Sequence, residues 1–116
     1  MEALKLYRLA AEHGNPEAQN NMGRIYDQGQ DLPRDYGEAA KWYRLAAEQG
    51  NLDAQFSLGA MYDLGRGVPQ NYGEAANWYR LAAQQGNAKA QLKLGMAYKN
   101  GHGTDKDLVL ALKWYD

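Results

Sequence analysis

A step of 36 residues organises this chain. Trp42, Trp78 and Trp114 keep it, as do Ala18, Ala54 and Ala90, Gly23, Gly59 and Gly95, and Tyr26, Tyr62 and Tyr98. Gly14, Gly50 and Gly86 follow the same step, each preceding an asparagine. A fixed period in this range marks a supersecondary unit that buries its apolar face only by stacking on copies of itself. The 116 residues hold a little over three such units, one domain's worth with room for a core. Arrays of this kind serve as surfaces for holding partners far more often than as reaction vessels.

Within a unit the pattern reads as two helices. Asn51 is a good N-cap, and Ala54 is followed by Leu58, Met61 and Tyr62 at offsets of four, seven and eight, which is one helical face. One unit earlier, Asn15-Pro16 starts the equivalent helix with a cap and a proline at the first helical position. Gly65 ends the first helix, since glycine accepts the left-handed conformation of the residue that follows a helix. A loop through Arg66, Gly67, Val68, Pro69 and Gln70 reaches Asn71, a second N-cap with Glu74 three positions on. Asp35 and Glu38 repeat that capping box. The second helix carries Trp78 and the pair Ala82-Ala83, Gly86 ends it, and Asn87 caps the next helix at once. So short a junction folds consecutive helices back antiparallel.

Small residues at fixed register, among them Ala39, Ala75 and Ala111 and the mid-helix Gly23, Gly59 and Gly95, predict close helix approach. A glycine inside a helix costs about 1 kcal/mol against alanine. Its recurrence therefore predicts that a tryptophan or tyrosine packs over it. The tryptophans themselves read as core knobs between helices.

The pattern A-Q-x-x-[L/M]-G-x-x-Y-x-x-G, then a loop, then E-A-A-x-W-Y-R-L-A-A-x-Q-G-N, resembles the Sel-one-like repeat (SLR) family, a relative of the tetratricopeptide repeats. The resemblance covers essentially the whole chain. It implies an all-α, right-handed α-solenoid of antiparallel helix pairs and an adaptor or scaffold role. Residues 1–15 read as the second helix of an incomplete repeat, 16–51 and 52–87 as repeats, and 88–116 as a C-terminally truncated one. Residues 2–15 align with 38–51, with Leu6 in the tryptophan's place. Both ends thus fall inside a repeat, which reads as a piece of a longer array or as ends covered in trans. Two departures stand out. Asp31 replaces the loop glycine found at Gly67 and Gly103, which predicts a different turn in the first loop. Thr104-Asp105 and Leu108-Val109-Leu110 replace Val68-Pro69 and Tyr72-Gly73-Glu74, which marks the last unit as a variant.

Composition narrows the function classes. With 13 basic and 14 acidic residues and no local basic cluster, neither nucleic acid nor an anionic membrane is a favoured partner. The chain has no cysteine, hence no disulfide and no thiolate metal site. No stretch approaches the roughly 18 apolar residues of a membrane span, and Met1 leads into no signal-peptide core. The chain therefore reads as soluble, without membrane insertion and with the cytoplasm favoured. Ser57 is the single serine and Thr104 the single threonine, and neither has the adjacent base and orienting group a nucleophile needs. His13 aligns with Gln49 and Gln85 as a variable exposed position, and His102 with Gln30 and Arg66 in the loop. Asp27 and Asp63 read as solvent-facing carboxylates, and Glu38, Lys41, Arg44 and Glu48 as a solvated, salt-laced helix face. Gln19, Gln55 and Gln91 recur beside the repeated alanine and read as satisfying loop backbone groups. No catalytic residue, metal site or cofactor is predicted.

A comparison inside the chain locates the variation. Residues 35–51 and 71–87 differ only at Asp35/Asn71, Lys41/Asn77 and Glu48/Gln84, whereas most positions differ between 18–33 and 54–69. The second helices read as fixed scaffold. The first helices either carry the function, on the concave face that the family resemblance implies for them, or face solvent and drift. Projected at about 100° per residue, offsets two, six and nine from the repeated alanine fall opposite the core face. They hold Asn20, Arg24 and Asp27, then Phe56, Ala60 and Asp63, then Leu92, Met96 and Lys99, with Leu64 among the flanking residues. The stripe is polar in the first unit and apolar across the next two. Phe56, Leu64, Leu92 and Met96 therefore predict a groove over units two and three for an apolar side chain of a protein or peptide partner, with Arg24 and Lys99 at its rim. The competing reading packs some of these residues against the neighbouring unit. A second functional reading is self-association, head to tail, through the unpaired helices at residues 2–15 and 107–116.

Overall fold

The computed structural model describes residues 2–102. They form α1 (Glu2–Glu12), α2 (Pro16–Gln28), α3 (Tyr36–Glu48), α4 (Leu52–Leu64), α5 (Tyr72–Gln84) and α6 (Ala88–Asn100), with no strand among the described residues. The variant loop at Thr104-Asp105, Leu108-Val109-Leu110, Trp114 and the helix expected over 107–116 lie outside the described residues.

The caps stand where the sequence places them. Asn15, Asn51 and Asn87 accept from the amides of Ala18, Ala54 and Ala90, and Asp35 and Asn71 from those of Glu38 and Glu74. The capping box is half made. The amides of Asp35 and Asn71 donate to the carbonyls of Tyr26 and Tyr62 in the preceding helix, so they do not need the glutamate. Gly29, Gly65 and Gly101 end the first helices in the left-handed region. The first loop does not turn differently. Asp31 adopts φ 63° where Gly67 has φ 75°, a conformation aspartate tolerates better than most residues. At Gly67 a side chain is barred for another reason: an added Cβ would collide with the carbonyl of Tyr36.

Packing joins helices that are adjacent in the chain, giving a body of 49 × 25 × 18 Å. Two kinds of interface alternate. Across the longer loops, α2 meets α3 and α4 meets α5 through a glycine under an aromatic ring. A Cβ on Gly23 would lie 2.6 Å from the Tyr43 ring, and one on Gly59 2.9 Å from that of Tyr79. The ring over each glycine is thus tyrosine, not tryptophan; Tyr115, one step further, lies outside the described residues. Across the short Gly-Asn junctions, apolar clusters form between α1 and α2, α3 and α4, and α5 and α6. Trp42 and Trp78 are half-buried and pack back onto the cluster of the preceding unit. They link successive clusters, whereas Tyr43, 1% exposed, is the buried knob.

A glutamine relay secures the junctions. The Nε2 groups of Gln19, Gln55 and Gln91 donate to the carbonyls of Ala11, Ala47 and Ala83 at 3.2, 3.3 and 3.2 Å. Gln49 and Gln85 in turn donate to the Oε1 of Gln19 and Gln55 at 2.7 and 2.6 Å. Those two positions, which His13 shares by alignment, therefore belong to the junction and are not merely a variable surface. The helix face read as salt-laced is also different. Lys41 pairs with Glu38 at 3.6 Å, but Arg44 reaches across to the Tyr62 hydroxyl, as Arg80 does to Tyr98 at 3.1 Å.

Candidate functional site

The first helices share one face because each unit repeats the same turn and return. On that face a hollow of about 540 Å³ opens across α2 and α4 and reaches the start of α6. From α2 come Asn20, Arg24, Asp27 and Gln28, and from α4 Asp53, Phe56 and Ser57. The N-terminal turn of α6 adds Asn87, Ala88 and Lys89, and Tyr43 of α3 closes the floor. The volume lies within the roughly 300–1,000 Å³ typical of ligand clefts.

Hydrogen bonding sets the floor. Tyr43 donates its hydroxyl to Asp27 Oδ2 at 3.0 Å, and one unit on Tyr79 donates to Asp63 Oδ2 at 3.4 Å. These carboxylates are half-buried acceptors, not the free solvent-facing groups expected from the sequence. Burial first, and then the adjacent carboxylate, push both tyrosine hydroxyls well above the usual range, so they stay protonated donors. Ser57 and Arg24 act on Tyr43 in the opposite sense.

Asn20 is the anomaly. Placed by the helical projection opposite the core, it is instead only 6% exposed, and its Oδ1 is buried without a hydrogen-bond partner. An acceptor left so costs about 1–3 kcal/mol. Phe56 is also not a free apolar anchor. It is half-buried, packs onto the α5/α6 cluster, and its ring centre lies 5.5 Å from that of Tyr79. The projection errs because a helix inside a stack is covered by the units on both sides, so its buried arc is wider than that of a lone helix pair.

The other expected residues are dispersed. Asp63 and Met96 line a second hollow of about 140 Å³ between α4, α5 and α6, together with Tyr79, Lys93 and the stacked pair Tyr72–His102, whose ring centres are 4.5 Å apart. Leu64 and Leu92 are exposed at 58% and 48%, Lys99 is exposed and Ala60 half-buried, and none of the four lines either hollow. The broader hollow therefore lies mainly over α2 and α4, touches only the start of α6, and takes most of its lining from polar side chains. Tyr43, Asp53 and Lys89 were not singled out by sequence reasoning. For Tyr43 a signal was available: Asp27 and Tyr43 recur together as Asp63 and Tyr79 at the 36-residue step.

These residues offer hydrogen-bond donors and acceptors of both charge signs. Ser57 stands beside a tyrosine hydroxyl held protonated, which is no base for activating it. His13 bonds the Leu9 carbonyl at 2.7 Å and His102 stacks on Tyr72. Among the described residues no group of three metal-ligating side chains converges, and no helix is long and apolar enough to cross a membrane.

Comparison with known proteins agrees with this architecture. The Sel1 repeat pattern matches residues 1–15, 16–51, 52–87 and 88–116. No curated protein matches the chain. Among solved structures, c5321, a protective antigen of uropathogenic Escherichia coli strains with an SLR fold, is 42% identical with a TM-score of 0.95, over 97% of this chain and 24% of its own. A Sel1 repeat protein from Oxalobacter formigenes is 46% identical with a TM-score of 0.85, over 88% of this chain and 41% of its own. Helicobacter pylori cysteine rich protein B shares the fold at 24% identity and a TM-score of 0.73, over 77% of this chain and 67% of its own. This chain thus spans less than half the length of the first two.

Proposed function

The chain belongs to the Sel1 repeat family, and from that membership we propose that it is a non-catalytic scaffold whose first-helix face holds a protein or peptide partner. The family is generally a protein-interaction scaffold. The observation that carries the finer reading is the hollow shared by three successive first helices, floored by Tyr43 and Asp27. Its walls come from the helices that vary between units, while the second helices that support it are nearly copied. Asn20, Arg24, Asp27 and Phe56 border this hollow. The proposed surface also takes in Asp63 and Met96, which line the smaller hollow, and the exposed Leu64, Leu92 and Lys99 and the half-buried Ala60, which line neither.

The test is to select short linear peptides from a random display library on this chain and to follow amide shifts as they are titrated. Shifts at Arg24, Ser57 and Lys89 support the reading. Shifts confined to Leu45, Leu81 and their neighbours on the second helices would sink it.

A second reading, self-association, has its own observation. Leu6 is 64% exposed at the position where Trp42 and Trp78 pack back onto a preceding unit. Stacking of another copy there would make scattering mass rise with concentration, and Leu6→Glu would abolish the rise. A mass that stays at one chain across the range counts against it.

A further inference from the structure

We propose that the slot between α3 and the α4–α5 loop binds an acidic peptide segment, seating one apolar side chain while carboxylates beside it pair with Lys41 and the neighbouring arginines. The slot shares no residue with the hollow across α2 and α4, so this inference and the reading of the first-helix face stand or fall separately.

The slot has a volume of about 410 Å³. Its larger apolar side chains are the exposed Leu45 of α3 and the half-buried Val68 of the loop, with Gly37, Ala40 and Gly67 between them in size and chemistry as small neighbours. No side chain fills it from Gly67, because a Cβ there would collide with the Tyr36 carbonyl. Lys41 and Arg44 complete the lining, and no carboxylate belongs to it. An apolar recess bordered only by cations complements an apolar group set among anions.

The arginines around it are held in place and left uncompensated. Arg44 stacks on Tyr62, 5.6 Å from the ring centre, and donates to its hydroxyl. Beside Gly37 and Gly67, Arg34 and Arg66 lie over the Tyr36 ring at 5.6 and 5.3 Å. Stacking fixes a guanidinium plane and leaves its edge N–H groups to a carboxylate. Among the described residues none of the three makes an ion pair. The nearby carboxylates are engaged, Asp35 in the α3 cap and Glu38 with Lys41 at 3.6 Å. Side chains already ordered add little to the cost of binding.

The repeat supplies an internal comparison. One unit earlier Lys5, Arg8, Leu9 and Leu32 keep the register, but Asp31 stands at the place of Gly67 and adds a carboxylate. One unit later Asn77 replaces Lys41 and Thr104 replaces Val68. Only the middle register combines both cations, both apolar residues and no acid. A phosphate backbone has nothing apolar to set between Leu45 and Val68, and a fatty acid brings a single carboxylate. An acidic segment with an apolar residue brings both.

The experiment selects peptides from the random library on the unaltered chain after depletion on a Leu45→Gln, Arg66→Gln variant. The enriched sequences should carry an apolar residue between acidic ones. On titration they should shift the amides of Lys41, Leu45, Gly67 and Val68, a readout that needs no variant to fold, and their affinity should fall as salt rises. Leu45→Gln should weaken binding about tenfold and Lys41→Asn about two- to fivefold. Leu81→Gln, at the same register one unit on, should leave it unchanged. All three positions are exposed, so the melting temperature should stay that of the unaltered chain. No enrichment, enriched sequences without acidic residues, or equal losses in Leu45→Gln and Leu81→Gln would overturn the inference. A scattering mass that doubles with concentration and reverts in Leu45→Gln would assign the slot to a second copy and overturn it too.

Discussion

The methyl group that Gly23 lacks is excluded by a ring that has nowhere to go. Tyr43 is 1% exposed and tethered to Asp27, so the 2.6 Å approach of an added Cβ is not relieved by swinging the side chain away. Alanine would gain about 1 kcal/mol in helix propensity, but overpacking a close-packed site costs about 1–3 kcal/mol. Gly23→Ala should therefore lower the urea midpoint, by more than Gly59→Ala, where the approach is 2.9 Å. A midpoint that rises would show that the ring yields. The same tyrosines give the fold an alkaline limit. Unfolded, a tyrosine hydroxyl loses its proton near its ordinary value of about 10; burial and the neighbouring carboxylate hold Tyr43 and Tyr79 protonated to higher pH. Above pH ~10 the unfolded state thus binds fewer protons than the folded one, and stability falls as pH rises. Below that value their contribution is fully present. Denaturant melts from pH 8 to 11 should show a flat region and then a decline, with the decline shallower in Tyr43→Phe. An identical slope in the two proteins would contradict the assignment.

Between elements, the junctions depend on single side chains that cap or bridge helix ends. Gln55, 4% exposed, donates to the Ala47 carbonyl and accepts from Gln85, so it ties the end of α3 to the end of α5 through α4. Gln55→Met keeps the volume and removes both bonds. It should cost about 1–3 kcal/mol, the penalty of a buried carbonyl left unmet, whereas Gln84→Met on the exposed face should be near neutral. Equal effects in urea titration would deny the relay a structural role. The helices, their caps and the antiparallel junctions were legible in the sequence because each is encoded locally, as Asn15-Pro16 and Gly86-Asn87 show. The candidate site was less so. Arg24, Asp27 and Phe56 border the hollow, but Asn20 is buried where the helical projection turns it away from the core, and the sequence reading does not single out Tyr43. Both errors share a cause: where a side chain sits in a stack depends on the neighbouring unit. Tyr26 of α2 packs on the α3/α4 cluster and Phe56 of α4 on the α5/α6 cluster, contacts that a helical wheel drawn for one helix does not contain.

As a whole the molecule is a chain of nearest-neighbour contacts. Helices pack substantially only on those adjacent in sequence, and the three apolar clusters follow one another along a body of 49 × 25 × 18 Å. In such an array stability is a sum of unit and interface terms, and a local defect need not spread. Two buried leucines test this. Leu58 is wholly buried in the α3/α4 cluster, midway along the described array, and Leu4, 7% exposed, lies in the α1/α2 cluster. Leu58→Ala should cost about 2–5 kcal/mol and raise amide exchange in the helices on both sides of it, because it weakens the join that each half relies on. Leu4→Ala should raise exchange in α1 and α2 and leave α4 and α5 as protected as before. The contrast bears on binding as well, since the hollow is built from α2, α4 and the start of α6 and holds its shape only while the α3/α4 join holds. Leu58→Ala should thus weaken a peptide seated in that hollow even though Leu58 does not line it. Exchange that rises equally everywhere in both variants would mean the array melts as one unit, and the coupling between the join and the hollow would then be no more than loss of the fold.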